Sequence, residues 1–500
     1  MKKIALLLLG LLLCGTATSQ VDPEAFRKQQ QQVREQFERE RDGMRKQYDD
    51  ERKKAEAEFA AFRQKANEEY AAAVREAWRQ MGVQPAEEKP EEPKPPQPPK
   101  PRNADLDRMP AAKHLPQSEV VPVPAKPTPI PVPAIPEAAP EAPTMQFAMY
   151  GAPCDVHTDL DGLRFRLAGV DEKSVAMAWK QLSQKKYDGL LHDCLKQRET
   201  LGLGDWGHMQ MLGRMSEQLL GKGSNEAVLL QMYLLAQSGY RVRMARANGR
   251  LVILMPFNHR IYGYRYLELN GMKHYVLTRE KFSSVEICAV SFPREQVANI
   301  LMSRLPELGG GAKRSRTVKA DQFGTMKATV AVDERLMDFL NDYPLSDAWN
   351  YYALVGLSDG VKATLYPALR SQIEGKSKKK AALMLLDFVQ TGFDYATDQE
   401  QFGYERPLFG DESFYYPYND CEDRSILFSI LVRDLTGLDV VLLHYPGHLA
   451  TAVHFTNDID GDYLTVNNKR YVVCDPTYIG ATIGESMPDF ADSKITVLTL

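Results

Sequence analysis

The sequence predicts an α+β fold written twice, behind a long helix and a proline-rich spacer. Three observations predict it. Apolar residues recur every 11 positions in the charged stretch before residue 85. Most of the prolines fall between residues 85 and 144. Two later stretches match without a gap when offset by 198 positions.

Residues 1–19 read as a secretory leader. Two lysines precede an apolar run from Ile4 to Leu13, and small residues end at Ala17-Thr18-Ser19, which places the cut after Ser19. The run is about half the length that crosses a bilayer. No transmembrane segment is expected, and the chain is expected to be exported to the periplasm, the cell surface or the medium. Leu11-Leu12-Leu13-Cys14 is a weaker lipoprotein box, because Leu before the Cys is bulky. Without Cys14, five cysteines remain at 154, 194, 288, 421 and 474. An odd count in an oxidising compartment leaves at least one thiol unpaired. The net charge is −4, and the basic clusters at 313–316 and 376–380 are short, so no nucleic-acid partner is expected.

Residues 20–84 favour a helix. Phe26, Phe37, Tyr48, Phe59, Tyr70 and Met81 lie 11 apart, and Val33, Met44, Ala55, Ala66 and Ala77 repeat the step. Eleven residues fill three helical turns, so the stripe stays on one face. Such a stripe needs a partner, and residues 22–82 are expected to form a coiled coil in a homo-oligomer. Residues 85–144 cannot bury a core and read as a disordered, semi-extended spacer.

Residues 145–320 and 321–500 carry the repeat. Ser224 to Gly239 overlies Glu422 to Gly437, and Gly249 to Phe257 overlies Gly447 to Phe455. A slip of two residues then lays Tyr275-Val-Leu-Thr-Arg279 on Tyr471-Val-Val-Cys-Asp475. Each stretch runs helix, Gly stop, then β-type segments. Gly223, Arg250 and Arg279 stand where the second copy has Cys421, His448 and Asp475.

Those three residues are the candidate catalytic set. Cys421 opens a helical pattern, where unpaired N–H groups favour a thiolate. His448 opens an alternating run after Pro446-Gly447, with His444 and His454 as the rival imidazoles. Asp475 ends the next run and would orient the imidazole. Asp420, Glu422 and Asp423 flank the thiol; they oppose a thiolate, and Asp420 or Asp423 is placed to cap the helix.

Asp420-Cys-Glu-Asp423 at a helix start, Gly447-His448 and Asp475-Pro-Thr477 together resemble the transglutaminase-like superfamily, over roughly residues 380–485. The resemblance implies a papain-like α+β core with Cys421, His448 and Asp475 as its triad, and a first domain that is a degenerate copy. Through bacterial transglutaminase-like cysteine proteinases it also implies calcium at Asp420, Glu422 and Asp423, with no cofactor required otherwise. Leu449-Ala450 depart from the aromatic residue usual after the His. Tyr416 and Tyr418 are the nearby candidates for an oxyanion donor. The expected activity is cysteine hydrolysis of a protein or peptide amide. Protein-glutamine transamidation and a non-enzymatic stalked scaffold are the alternatives.

Overall fold

The computed structural model describes residues 23–90, 94, 106, 108–125, 144–157, 163–185, 187–323, 326–346, 348–490 and 492–500. The leader, Cys14 and much of the proline-rich stretch lie outside them. The chain divides into two compact units, Met1–Arg63 and Gln64–Leu500.

The first unit is helical. Helix α1 (Pro23–Val74) carries it and continues past the unit boundary. Surface pairs four residues apart, such as Arg52–Glu56 at 3.5 Å, support the charged faces. Of the 11-residue stripe, Phe37, Met44 and Tyr48 are exposed, Tyr48 by 67%.

In the second unit the same stripe is buried at Ala66 and Tyr70. Tyr70 packs on Trp179 at 4.5 Å, and Asn67 Oδ1 accepts from Trp179 Nε1 at 2.9 Å and Gln237 Nε2 at 3.0 Å. The chain then continues through β1 (Trp78–Gly82), β2 (Lys113–His114), β3 (Gln117–Val121) and the hairpin β4 (Thr144–Met149) and β5 (Ala152–His157). Helices α2 (Glu172–Ser183), α3 (Asp188–Leu201), α4 (Gly204–Leu220) and α5 (Asn225–Gln237) follow. Strands β6 (Arg243–Ala247), β7 (Arg250–Met255), β8 (Tyr266–Leu269), β9 (Met272–Val276) and β10 (Ser284–Cys288) complete the first lobe.

The second lobe begins with the hairpin β11 (Lys313–Lys319) and β12 (Lys327–Asp333). Helices α6 (Glu334–Asn341), α7 (Trp349–Val355), α8 (Asp359–Ile373), α9 (Lys378–Gly392), α10 (Asp398–Gln401), α11 (Glu412–Tyr415) and α12 (Cys421–Thr436) come next. Strands β13 (Asp439–Tyr445), β14 (His448–His454), β15 (Asp462–Val466), β16 (Lys469–Cys474) and β17 (Ile495–Thr499) end the chain. The architecture is α+β, with antiparallel sheets backed by helices.

Among the described residues the two large sheets run β1-β10-β6-β7-β9-β8 and β2-β15-β16-β14-β13-β17-β3. Each follows a buried helix, α5 or α12. In each, the first two strands form a central hairpin, the next two a second hairpin that adds beside it, and the fifth returns next to the first. Ala247 pairs with Arg250 across Asn248-Gly249, as Tyr445 pairs with His448 across Pro446-Gly447. The second turn residue has φ of +74° at Gly249 and +81° at Gly447, a conformation that favours glycine.

Three expectations need correction. Pairing of Met255 with Tyr275, and of Val453 with Val472, sets Thr278 rather than Arg279 opposite Asp475's position. The sequence reading matched Tyr to Tyr and slipped by one residue. In addition, the stretch read as helix through residue 84 ends its helix at Val74, and β1 joins the first sheet. The stretch read as disordered spacer supplies β2 and β3 as edge strands of the second sheet. Cysteines 154, 194, 288, 421 and 474 are all buried and unpaired.

Candidate active site

Cys421 is the first residue of α12. Asp423 reaches back to accept the Asp420 N–H at 3.4 Å, which closes the first turn. The helix is buried on nearly all sides. Ser425 Oγ donates to Leu449 O at 2.8 Å and so docks α12 on β14 one residue beyond His448. Gly447 sets His448 at the head of β14.

His448 and Asp475 meet. His448 Nε2 lies 2.8 Å from Asp475 Oδ2, with both side chains buried. Asp475 Oδ1 accepts from the Thr477 and Tyr478 N–H groups at 2.9 and 3.2 Å. Gln390 Nε2, on α9, holds the same turn through the carbonyls of Asp475, Tyr478 and Ala481. The imidazole also stacks on Phe490 at 4.9 Å. A carboxylate only accepts, so Nε2 carries the proton and Nδ1 is the free base. Nδ1 has no hydrogen-bond partner. Of the rival imidazoles, His454 Nδ1 lies 2.9 Å from Arg470 O, and His444 packs edge-on to Trp349 at 4.5 Å.

Cys421 and His448 line one cavity of about 10 Å³, with Lys94, Trp349, Glu405 and Glu422. That volume is at the lower limit for a single water. The sulfur is 2% exposed at residue level and lies 3.2 Å from Glu422 Oε2. Burial pushes the Cys421 thiol well up, and the Glu422 and Asp420 carboxyls push it further. The helix start therefore does not make a thiolate in this state. Burial, and then the flanking acids, outweigh it.

Lys94 lines this cleft. Its ammonium, on a side chain 5% exposed, pairs with Asp420, with Glu422 at 2.5 Å, with Glu405 at 3.2 Å and with Asp398 at 3.5 Å. Burial opposes its charge, and the Glu422 and Asp420 carboxylates overcome that and hold it protonated. Burial opposes ionisation of Glu422 too, yet Lys94 brings its carboxyl down to about 2. Burial, then Glu422, pushes Asp398 up to about 7 and Glu405 up to about 8.

The acidic cluster is wider than the sequence showed. Ligand atoms of Asp398, Glu405 and Glu422 lie within 4.8 Å of one another, as do those of Asp398, Asp420 and Asp423. The three acids named from sequence thus fall in two overlapping groups joined by Asp398. Four buried carboxyls share one ammonium, Asp423 lies in the same cluster, and Asp420 Oδ1 accepts no hydrogen bond. An all-oxygen donor set fits a hard divalent cation such as calcium.

The raised carboxyls fix a sign. A carboxyl raised in the folded state stabilises it below the unfolded value near 4, and that stability is lost as pH rises through the folded value. The thermal midpoint is expected to fall between pH 5 and 8 as Asp398 and Glu405 ionise. Scanning calorimetry of the protein and of Asp398→Asn/Glu405→Gln checks this. The double variant should flatten the slope, and an unchanged slope would reject the cluster as its source.

The oxyanion donors named from sequence do not serve. Tyr416 OH donates to Asn341 Oδ1 at 2.8 Å, and Tyr418 is exposed. Trp349, at the start of α7, lines the cleft instead, and its buried Nε1–H has no acceptor. Nothing in the sequence marked Trp349, Asp398, Glu405 or Lys94. Each is far from the Cys421 window, and only the fold brings them in. Among the described residues no helix is long and apolar enough to cross a membrane. Comparison of the chain with models of known protein families, with curated proteins and with solved structures returns no match.

Proposed function

We propose that this chain is an exported, transglutaminase-like cysteine hydrolase that cleaves a protein or peptide amide through a thioester on Cys421. The buried His448–Asp475 pair opening onto the same cleft as Cys421 carries the reading. As Cys421 Sγ bonds to the carbonyl carbon, its proton passes to His448 Nδ1. The C–N bond then breaks, and the leaving amine takes that proton. Water, deprotonated by Nδ1, hydrolyses the thioester and restores the thiol. The Cys421 N–H and Trp349 Nε1–H are the donors for the developing oxyanion.

The matching strand order of the two sheets, with Arg250 and His448 at the same hairpin register, supports a duplicated papain-like core whose first copy has lost its chemistry. Asp398, Glu405, Asp420, Glu422 and Asp423 would hold calcium once Lys94 withdraws. The ion would supply positive charge beside the thiol. The exposed part of α1, carrying Phe37, Met44 and Tyr48, would form the homo-oligomer expected of residues 22–82.

Dimethylated casein tests the activity, since its own lysines cannot act as acceptors. New termini in the presence of calcium, absent with Cys421→Ala, are the expected outcome. Incorporation of an added fluorescent amine without cleavage would select the transamidase. Neither product would leave the scaffold.

A further inference from the structure

Among the described residues that line the Cys421 cavity, all but one belong to the second lobe. The exception is Lys94, which comes from the proline-rich stretch, 326 positions before Asp420. In sequence it stands between Pro93 and Pro95. With Lys94 in place the cavity of about 10 Å³ has room for one water at most. No amide reaches the sulfur until something leaves, and Lys94 is the one lining residue that the lobe does not itself supply.

The place Lys94 occupies is built for an ammonium. Its Nζ pairs with Asp420, with Glu422 at 2.5 Å, with Glu405 at 3.2 Å and with Asp398 at 3.5 Å. None of these four acids is more than 4% exposed. Carboxylates gathered this closely and this deep are costly without a cation between them, whichever residue brings it. Trp349 and Leu449 line the same cavity and suit a methylene stem. Glu422 joins this place to the nucleophile. Its Oε1 takes the ammonium, and its Oε2 lies 3.2 Å from Cys421 Sγ. Ammonium and thiol are one carboxylate apart, a span comparable to that between a lysine's ammonium and its own carbonyl carbon.

We propose that Asp398, Glu405, Asp420 and Glu422 form a specificity subsite for a lysine side chain of the substrate, next to the scissile amide, and that Lys94 holds this subsite as an intramolecular competitor. A tethered occupant competes at an effective concentration on the order of millimolar, so the unaltered chain favours its own lysine over a dilute one from outside. Calcium and a substrate ammonium are alternative occupants of these carboxylates, and either brings positive charge beside the thiol. That the lysine belongs to a substrate rests on the hydrolase reading of Cys421. That the subsite takes a lysine does not.

The first test uses the full chain with Lys94→Ala and Cys421→Ala, which empties the subsite and prevents turnover. Fluorescein-labelled Glu-Glu-Pro-Lys-Pro-Pro-Gln-Pro-Pro, the sequence of residues 91–99, is titrated by anisotropy with a chelator present. Saturable binding is expected, about tenfold or more tighter than for the same peptide with norleucine in place of lysine, the scale of a hydrogen bond to a charged group. The chain that keeps Lys94 should bind the lysine peptide about tenfold or more weakly, because its own side chain holds the place. Equal affinity for the two peptides, or equal binding with and without Lys94, overturns the proposal. Should Lys94→Ala lose the parent's near-ultraviolet circular dichroism, the unaltered chain answers instead. Millimolar lysine peptide should expose Lys94 to acetylation by an N-hydroxysuccinimide ester, read by peptide mass spectrometry, and the norleucine peptide should not. Equal labelling of Lys94 with both peptides overturns the proposal. The substrate part is read on Lys94→Ala with Cys421 intact. Tosyl-lysine chloromethyl ketone should alkylate Cys421 about tenfold or more faster than tosyl-phenylalanine chloromethyl ketone. Equal rates would remove the lysine subsite and leave the hydrolase standing. A lysine-selective peptide site beside a Cys421 that neither ketone labels would remove the hydrolase and leave the lysine site standing.

Discussion

Replacing Lys94 with methionine is expected to destabilise the protein by about 3–5 kcal/mol at pH 7.5, the usual cost of removing one partner from a buried ion pair. Methionine, unbranched and one atom shorter, keeps most of the packing of the lysine stem, so most of the loss reports the charge. Asp398, Glu405, Asp420 and Glu422 would then face one another without a cation. The loss should shrink at pH 5, where Asp398 and Glu405, with values of about 7 and 8, already carry protons. Millimolar calcium should recover much of it, and more than it adds to the unaltered chain, because a ligand of the folded state stabilises by mass action. Urea unfolding with and without a chelator measures all three effects. A Lys94→Met chain as stable as its parent at pH 7.5 would show that the ammonium does not hold this cluster.

Asp475→Asn is expected to slow acylation of Cys421 on the order of 10³-fold or more, with the fold intact. The direction follows from how the turn is held. Asp475 Oδ1 accepts two backbone N–H groups, so asparagine must keep its carbonyl oxygen there and turn its amide N–H₂ toward His448. Two donors cannot face each other, and the imidazole must switch its proton to Nδ1. The nitrogen needed to take the thiol's proton is then already protonated. Trp349→Phe removes only one oxyanion donor, and its expected loss is about 10²-fold. Burst kinetics with p-nitrophenyl acetate separates the two. A larger loss for Trp349→Phe than for Asp475→Asn would invert the assigned roles.

The sequence was most legible where short-range signals agree. Cys421 does open a helix, His448 does open a strand after Pro446-Gly447, and Asp475 does end one. Helix starts, tight turns and strand ends are written in residues only a few positions apart. What was illegible depends on long-range pairing. β2 and β3 are short, exposed edge strands whose residues alternate little, and they are recognised only beside β15 and β17. β1 sits where the 11-residue repeat continues through Ala77 and Met81, so periodicity argued for helix while sheet pairing prevailed. The carboxyls of Asp398 and Glu405 join Asp420 and Glu422 from over ten positions away. Their role is set by burial rather than by spacing. Burial first, then Glu422 and Asp420, pushes the Cys421 thiol up, and local sequence shows the helix start and the flanking acids but not that burial.

The most direct measurement is the site of a trapped acyl group. The full chain is treated briefly with p-nitrophenyl acetate at pH 7.5, with calcium present, and the acetyl group is located by peptide mass spectrometry. Acetyl on Cys421 alone among the cysteines 154, 194, 288, 421 and 474, and its loss in His448→Ala, is the predicted result. Acetyl spread over other cysteines or lysines, or label on Cys421 that His448→Ala leaves unchanged, would contradict a thiol and an imidazole acting together in this cleft.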